Sequence, residues 1–365
     1  MKTSNISLLM AAALLMSCEQ RELVYPVSPD EPVPLRIASG IGSVNVTRAF
    51  DTSWEANDQI GVFTVEAGST DATKITYSGT QKDENIVYSI STGAETYDKT
   101  DPDNPIYDFQ GFTSASPIYL PADGSQVDVY AYSPWKTGIT AAAGLGLTIE
   151  TTQTAANQKT FDLMMAKDVS TALHPICRNH DNTNAQANLL FEHCLTKVLI
   201  RLIVDEGYSV SDFLNKVSVK ITKQPTAATF MPLAQTLTVT TATTDFTDII
   251  PATLTSGDPD YLPNTDPNYS KMVYCYRALL LPNEETTNPA VTVTDPDPRK
   301  IEFTVTNGSY SSVYTYTINE TYAANMQIIY TLKLGSTGLS ITAAIQPWSF
   351  STVNPTYGLY EETNE

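Results

Sequence analysis

The chain has 365 residues, a formal net charge of −19, 42% hydrophobic residues and only 17% charged ones. So acidic a balance excludes nucleic acid and anionic lipid surfaces as partners, and the hydrophobic share excludes a disordered chain. The length suits two domains of roughly 100–200 residues each, and 22 prolines, 20 tyrosines and few helical patterns point to β structure.

Lys2 precedes an apolar run from Ile6 to Met16. The run is shorter than the about 20 residues that a membrane-spanning helix needs and has the length of a signal-peptide core, so residues 1–17 are expected to be removed. It ends Leu15-Met16-Ser17-Cys18, which resembles the lipobox of bacterial lipoproteins. That resemblance implies cleavage before Cys18 and acylation of its thiol and new amino group, palmitate included. Two or more acyl chains anchor firmly, whereas one is marginal.

Glu22–Pro34 holds four prolines and no periodicity, so it reads as an extended spacer. Leu35, Ile37, Ser39 and Ile41 then alternate, and Val44 and Val46 continue in the opposite phase. Gly40 and Gly42 at the phase change suit a bulge. This segment is either a permanent first strand or a removable one. The peptide bond Arg48–Ala49 behind it offers a site for a trypsin-like protease, so residues 18–48 are assigned as lipidated spacer and removable strand.

From residue 49 short strands are expected at Ile60–Val65, Ile75–Tyr77, Val87–Ile90, Phe109–Phe112, Ile118–Leu120, Val127–Tyr132, Leu145–Ile149 and Phe161–Met165. Residues 49–187 form one unit on this reading, with 166–187 as the crossing to the next. A second unit, 188–348, opens with one long strand in NLLFEHCLTKVLIRLIV. Further strands follow at Val217–Ile221, Leu237–Val239, Val273–Leu281, Val291–Val293, Ile301–Val305, Val313–Ile318, Ile328–Leu334 and Leu339–Ile345. Ser211 caps a short helix over Ser211–Lys216. The tail, 349–365, carries Phe350, Val353, Tyr357 and Leu359, with Pro355 between them. This spacing of short strands and turns suits β-sandwiches better than alternating β and α units.

Apart from Cys18 there are three cysteines, Cys177, Cys194 and Cys275, which allows at most one disulfide, with Cys177–Cys194 the nearest pair in sequence. Cys177-x₂-His180 and His193-Cys194 offer four zinc-type ligands. Adjacent residues on a strand point to opposite faces, however, so no metal is expected. The Asp-rich stretches Asp101–Pro105 and Asp258–Pro267 read as turns. Tyr97, Tyr107, Tyr261 and Tyr269 lie in loops, where they either stack on a sugar or cover the ends of the fold. Hydrolase, zinc-protease and phosphate-loop motifs are absent, so neither an enzyme nor a cofactor is expected.

Five stretches in order, TRAFDTSWEANDQIGVF (Thr47–Phe63), YAYSPW (Tyr130–Trp135), FDLMMAKD (Phe161–Asp168), LLFEHCLTKVLIRL (Leu189–Leu202) and NMQIIYTLKLGSTGLSITAAIQPW (Asn325–Trp348), resemble the fimbrillin family of Bacteroides-type bacteria. The resemblance implies an all-β fold of two transthyretin-like β-sandwich domains in tandem and an outer-membrane lipoprotein precursor that matures into a surface fimbria. It further implies cleavage after an arginine, and donor-strand exchange, in which the tail of another pilin subunit takes the place of the lost first strand. An unpaired sheet edge beside an exposed core favours such an addition. The expected partners are other pilin subunits, the maturation protease, the membrane through the anchor, and a host or bacterial surface receptor for adhesion. A monomeric, glycan-binding surface lipoprotein that keeps its first strand is the alternative.

Overall fold

The computed structural model describes residues 31–41, 54–91, 110–178, 185–240, 246–282, 299–335 and 338–348. Its first ten strands are β1 (Arg36–Ile41), β2 (Gln59–Glu66), β3 (Tyr77–Ser78), β4 (Gln81–Lys82), β5 (Ile86–Ile90), β6 (Gln110–Thr113), β7 (Val127–Ser133), β8 (Leu145–Thr148), β9 (Met164–Asp168) and β10 (Gln186–His193). Seven of them close into a barrel in the order β1-β10-β9-β7-β2-β5-β6.

Strand periodicity explains how the barrel walls are buried on both sides. On β2, Ile60 and Val62 point into the barrel core, while Phe63 and Val65 join a second apolar core outside it. On β7, Val127, Val129 and Ala131 point inward, and Tyr130 and Tyr132 outward. Alternate side chains thus serve two cores, which is why both strands read as nearly continuous apolar runs. β7 ends in a cis Ser133–Pro134 peptide, after which the Trp135 N–H donates to the Gln59 carbonyl at 3.0 Å.

The close β2–β7 approach depends on Gly61. A Cβ there would lie 2.3 Å from Cε1 of Tyr132 and 2.5 Å from Oδ1 of Asn85. Tyr132 is locked in place because its hydroxyl donates to Asn85 at 2.8 Å. Gly61→Ala is therefore expected to cost about 2 kcal/mol through overpacking, read as a lower thermal midpoint.

The remaining strands are β11 (Thr196–Val204), β12 (Val217–Pro225), β13 (Ala227–Met231), β14 (Thr236–Val239), β15 (Phe246–Ile249), β16 (Ala252–Leu254), β17 (Met272–Leu280), β18 (Lys300–Asn307), β19 (Tyr310–Thr317), β20 (Met326–Gly335) and β21 (Gly338–Pro347). One sheet runs β16-β17-β11-β20-β21 and another β15-β12-β18-β19, while β8 of the N-terminal half joins β13 and β14 in a third. Val198, Ile200 and Leu202 of β11 share a core with Ile221, Ile301 and Phe303 of the four-stranded sheet. The other face of β11, through Leu199 and Ile203, is covered by Leu254, Leu262, Met272 and Cys275. The fold is all-β, as the sequence predicts.

Several local expectations need correction. The single strand expected from Asn188 is two, with a bend at Cys194 and Leu195. The first part, β10, pairs with β1 and β9 in the barrel, so the strand assigned to the second unit completes the first. The apolar pattern continues through the bend because both cores are apolar, and nothing in it marks the crossing.

The strand expected at Phe161–Met165 is preceded by a helix, α1 (Ala155–Phe161), and starts only at Met164. A reciprocal cap holds α1: the Thr154 hydroxyl accepts from the Asn157 N–H at 3.1 Å, and the Asn157 carbonyl oxygen accepts from the Thr154 N–H at 2.7 Å. Over Ser211–Lys216 there is only a single 3-10 turn, Val210–Asp212. Ile118–Leu120 is not a strand, although Tyr119 bridges to Pro34.

Cys177, Cys194 and Cys275 are all free and buried, which overturns the suggested Cys177–Cys194 pair. Burial pushes the Cys194 thiol up and the Cys275 thiol up to about 12, leaving both protonated and unreactive.

Candidate functional site: the slot of the first strand

β1 occupies a slot between β10 and β6. It runs parallel to β10, with six pairs from Arg36↔Gln186 to Ile41↔Phe191. On its other side it runs antiparallel to β6 over three pairs, Ile37↔Phe112, Ala38↔Gly111 and Ser39↔Gln110. The residues before it extend the grip: the Leu35 N–H donates to the Ile118 carbonyl at 2.8 Å, and the Leu120 N–H to the Val33 carbonyl at 2.9 Å.

The inward alternation expected for this segment is present. Leu35 and Ile37 are each 2% exposed, and Ile41 is half-buried. Val33, Leu35 and Ile37 belong to the same core cluster as Tyr88, Ile118, Leu189 and Phe191, with Ile41 packed against it. A cavity of about 370 Å³ lies beside the start of the strand, lined in part by Pro34, Leu35, Tyr88, Phe112 and Pro117.

Trp54 spans the two flanking strands. Its ring meets Phe112 of β6 edge-on at 5.1 Å and Phe191 of β10 at 5.0 Å. Taking β1 away would leave β6 and β10 with unpaired edges and would uncover the apolar wall between them. Such a surface recruits another strand, because main-chain hydrogen bonds and apolar burial are both unsatisfied at once.

The described end of the chain sits at the base of β10. Trp348 is buried and lies flat on His193, the last residue of β10, with ring centroids 3.9 Å apart and planes 2° from parallel. The His193 Nδ1 is 3.0 Å from Asp162, and the Lys197 ammonium lies 5.2 Å from the Trp348 ring centre. Lys197 also pairs with Asp260 at 3.0 Å. Arg277 reaches Asp258 at 3.1 Å and Asp260 at 2.8 Å, and its Nε donates to Gln158 of α1 at 2.8 Å.

The Asp258–Pro267 turn is therefore a lid pinned by buried cations. Among the described residues no cluster of His, Cys, Asp or Glu has the arrangement of a metal site, and His180 lies outside them. Tyr261 and Tyr269 meet edge-to-face at 6.1 Å, and Tyr261 packs on the Leu199 cluster. That is a covering role at the end of the fold.

Of the residues singled out from sequence, Leu35, Ile37 and Ile41 come together in the slot. Cys18, Val44, Val46, Arg48, Ala49, Phe350, Val353, Tyr357 and Leu359 lie outside the described residues, as do Tyr97 and Tyr107. Sequence reasoning missed Trp54, which stands inside a quoted motif but shows no spacing that marks it as a clamp. It also missed Phe191, hidden in a run that read as one strand.

The sequence profile described as "Fimbrillin-like" matches residues 47–348. The chain belongs to the fimbrillin-like family. Two segments fall outside the matched fimbrillin-like body, namely everything up to and including β1 and everything after Trp348. The chain is 28% identical over 352 residues, 95% of either sequence, to a Bacteroides uniformis protein named "Putative fimbrium subunit Fim1C".

Two crystal structures of "putative cell adhesion" proteins share the fold. One, from Bacteroides uniformis, has a TM-score of 0.59 at 21% identity, covering 88% of this chain and 100% of its own. The other, from Bacteroides ovatus, has 0.54 at 17%, covering 88% and 99%. The fimbrillin-like family is one of fimbrial structural subunits, not known to be enzymatic.

Proposed function

We propose that this chain is a fimbrial subunit made as a lipoprotein precursor. Cys18 anchors it to the outer membrane, a trypsin-like protease cuts after Arg48, and β1 then gives way to the tail of another subunit. One observation carries this reading: β1 fills a two-sided slot in a barrel, yet it lies outside the part of the chain that matches the family profile.

The physical balance agrees. While β1 is in place the barrel has no free edge, so the precursor is inert. Without it, two edges and an apolar wall stand open. Each 100 Å² of apolar surface re-covered contributes about 2.5 kcal/mol, and a ladder of backbone hydrogen bonds holds the new strand in register. Residues 349–365 could span up to roughly 55 Å if fully extended, enough to reach a slot on a neighbouring subunit. Phe350, Val353, Tyr357 and Leu359 are the residues assigned to fill it. The anchor and the arginine supply the two controls the scheme needs, location and timing.

Limited trypsin digestion of the lipid-free precursor tests it. A product beginning at Ala49, accompanied by a ladder of oligomers, is the expected result. An Arg48–Ala49 bond that resists trypsin, with the digested chain still monomeric, would overturn the proposal in favour of a monomeric surface lipoprotein. Deleting 349–365 is expected to leave cleavage intact and stop chain growth.

A further inference from the structure

Ser39 is wholly buried in the middle of β1, and its hydroxyl has no hydrogen-bond partner among the described residues. It stands opposite Leu189 on one side and Gln110 on the other. Its companions on the same period-two face are Leu35, Ile37 and Ile41, all apolar. A hydroxyl sealed in an apolar core without a partner weakens the structure that holds it, whereas an apolar side chain of suitable size would strengthen it.

A second, independent defect lies in the same place. The indole N–H of Trp54 is also buried and unpartnered, although its ring touches Phe112 and Phe191, each of which pairs with a β1 residue. Among the described residues five buried side-chain polar atoms lack a partner, and these are two of them. The other three, on Arg201, Gln224 and Asn325, lie outside the barrel strands, so among the described residues the barrel's imperfection is concentrated where β1 meets it.

We infer that Ser39 makes β1 a weak occupant of its slot, and that this weakness eases its replacement. This rests on the strand-replacement reading above. The replacement it fits is the 353–359 segment of a second copy of this chain. There Val353, Pro355, Tyr357 and Leu359 share one period-two face, and that face contains no serine. Tyr357 adds a hydroxyl, an acceptor of the kind Trp54 lacks.

The experiment compares Ser39→Ala with the unaltered chain in two measurements. Ala deletes the orphaned hydroxyl without adding volume, so the uncleaved variant should fold. In the uncleaved protein the thermal midpoint is expected to rise by about 2–4 °C. After trypsin cleavage, uptake of a labelled peptide of residues 349–365, followed by fluorescence anisotropy, is expected to slow about tenfold, the equivalent of about 1.4 kcal/mol.

An unchanged or lower midpoint overturns the claim that Ser39 weakens β1. A raised midpoint with an unchanged uptake rate overturns the claim that the weakness of β1 eases its replacement. If the unaltered, cleaved chain never takes up the peptide while the Ser39→Ala midpoint still rises, strand replacement itself fails and the weak-occupant claim stands.

Discussion

Ile37→Asp in the uncleaved chain is expected to lower the thermal midpoint by roughly 10 °C or more, with early digestion of the N-terminal half by proteases. Ile37 is 2% exposed, pairs with Ala187 and Phe112, and points into the barrel core. An aspartate there lies among the apolar side chains of the barrel core and must either stay charged in an apolar site or take up a proton. Either way the cost is about 4 kcal/mol or more. The strand would be driven from the slot, exposing the same wall that cleavage is proposed to expose, so the variant should also aggregate or capture a strand peptide without any protease. Circular dichroism melting and size-exclusion chromatography read both effects. A midpoint equal to that of the unaltered chain would mean that β1 is not a barrel strand in solution.

The second large effect lies in the C-terminal half. Arg277→Met is expected to destabilise the protein by about 3–5 kcal/mol, because it leaves the Asp258 and Asp260 carboxylates partly buried with half their compensation gone. Lys197 still faces Asp260, so Asp258 is the carboxylate that loses its guanidinium and keeps, among the described residues, only the Asp260 N–H at 3.0 Å. Adding Asp258→Asn to Arg277→Met should recover part of the loss, since a neutral side chain no longer needs the guanidinium. Equilibrium unfolding in urea measures both steps. If the double variant is no more stable than the single one, the ion cluster is not what holds the Asp258–Pro267 turn.

Much of this arrangement is legible from residue order. The alternation Leu35, Ile37, Ser39, Ile41 marked a strand with one buried face, and that face does line a core. Strands are expected at Ile328–Leu334 and Leu339–Ile345, and β20 and β21 lie there, paired as a hairpin. The failures have a common cause. A run such as NLLFEHCLTKVLIRLIV carries apolar residues on both sides of the bend because β10 faces one core and β11 another, so its pattern does not reveal the bend between them. Likewise α1 is a short helix whose Thr154 cap resembles turn sequence, and only Gln158 and Phe161 of its residues are buried. Cysteine spacing suggested a disulfide where the chain keeps its three thiols free and buried.

Local pattern by itself determined that the chain is acidic, β-rich and carries an alternating segment between Cys18 and Arg48. Those properties depend on composition and on periods of two, which survive in any single strand. Which strands lie beside β1 was decided only in three dimensions. A parallel partner 150 residues away and an antiparallel one some 70 residues away leave no mark on local alternation. The same holds for Ser39: as a residue it is an ordinary polar interruption in a strand, and only closure of the barrel around it turns its hydroxyl into a buried cost.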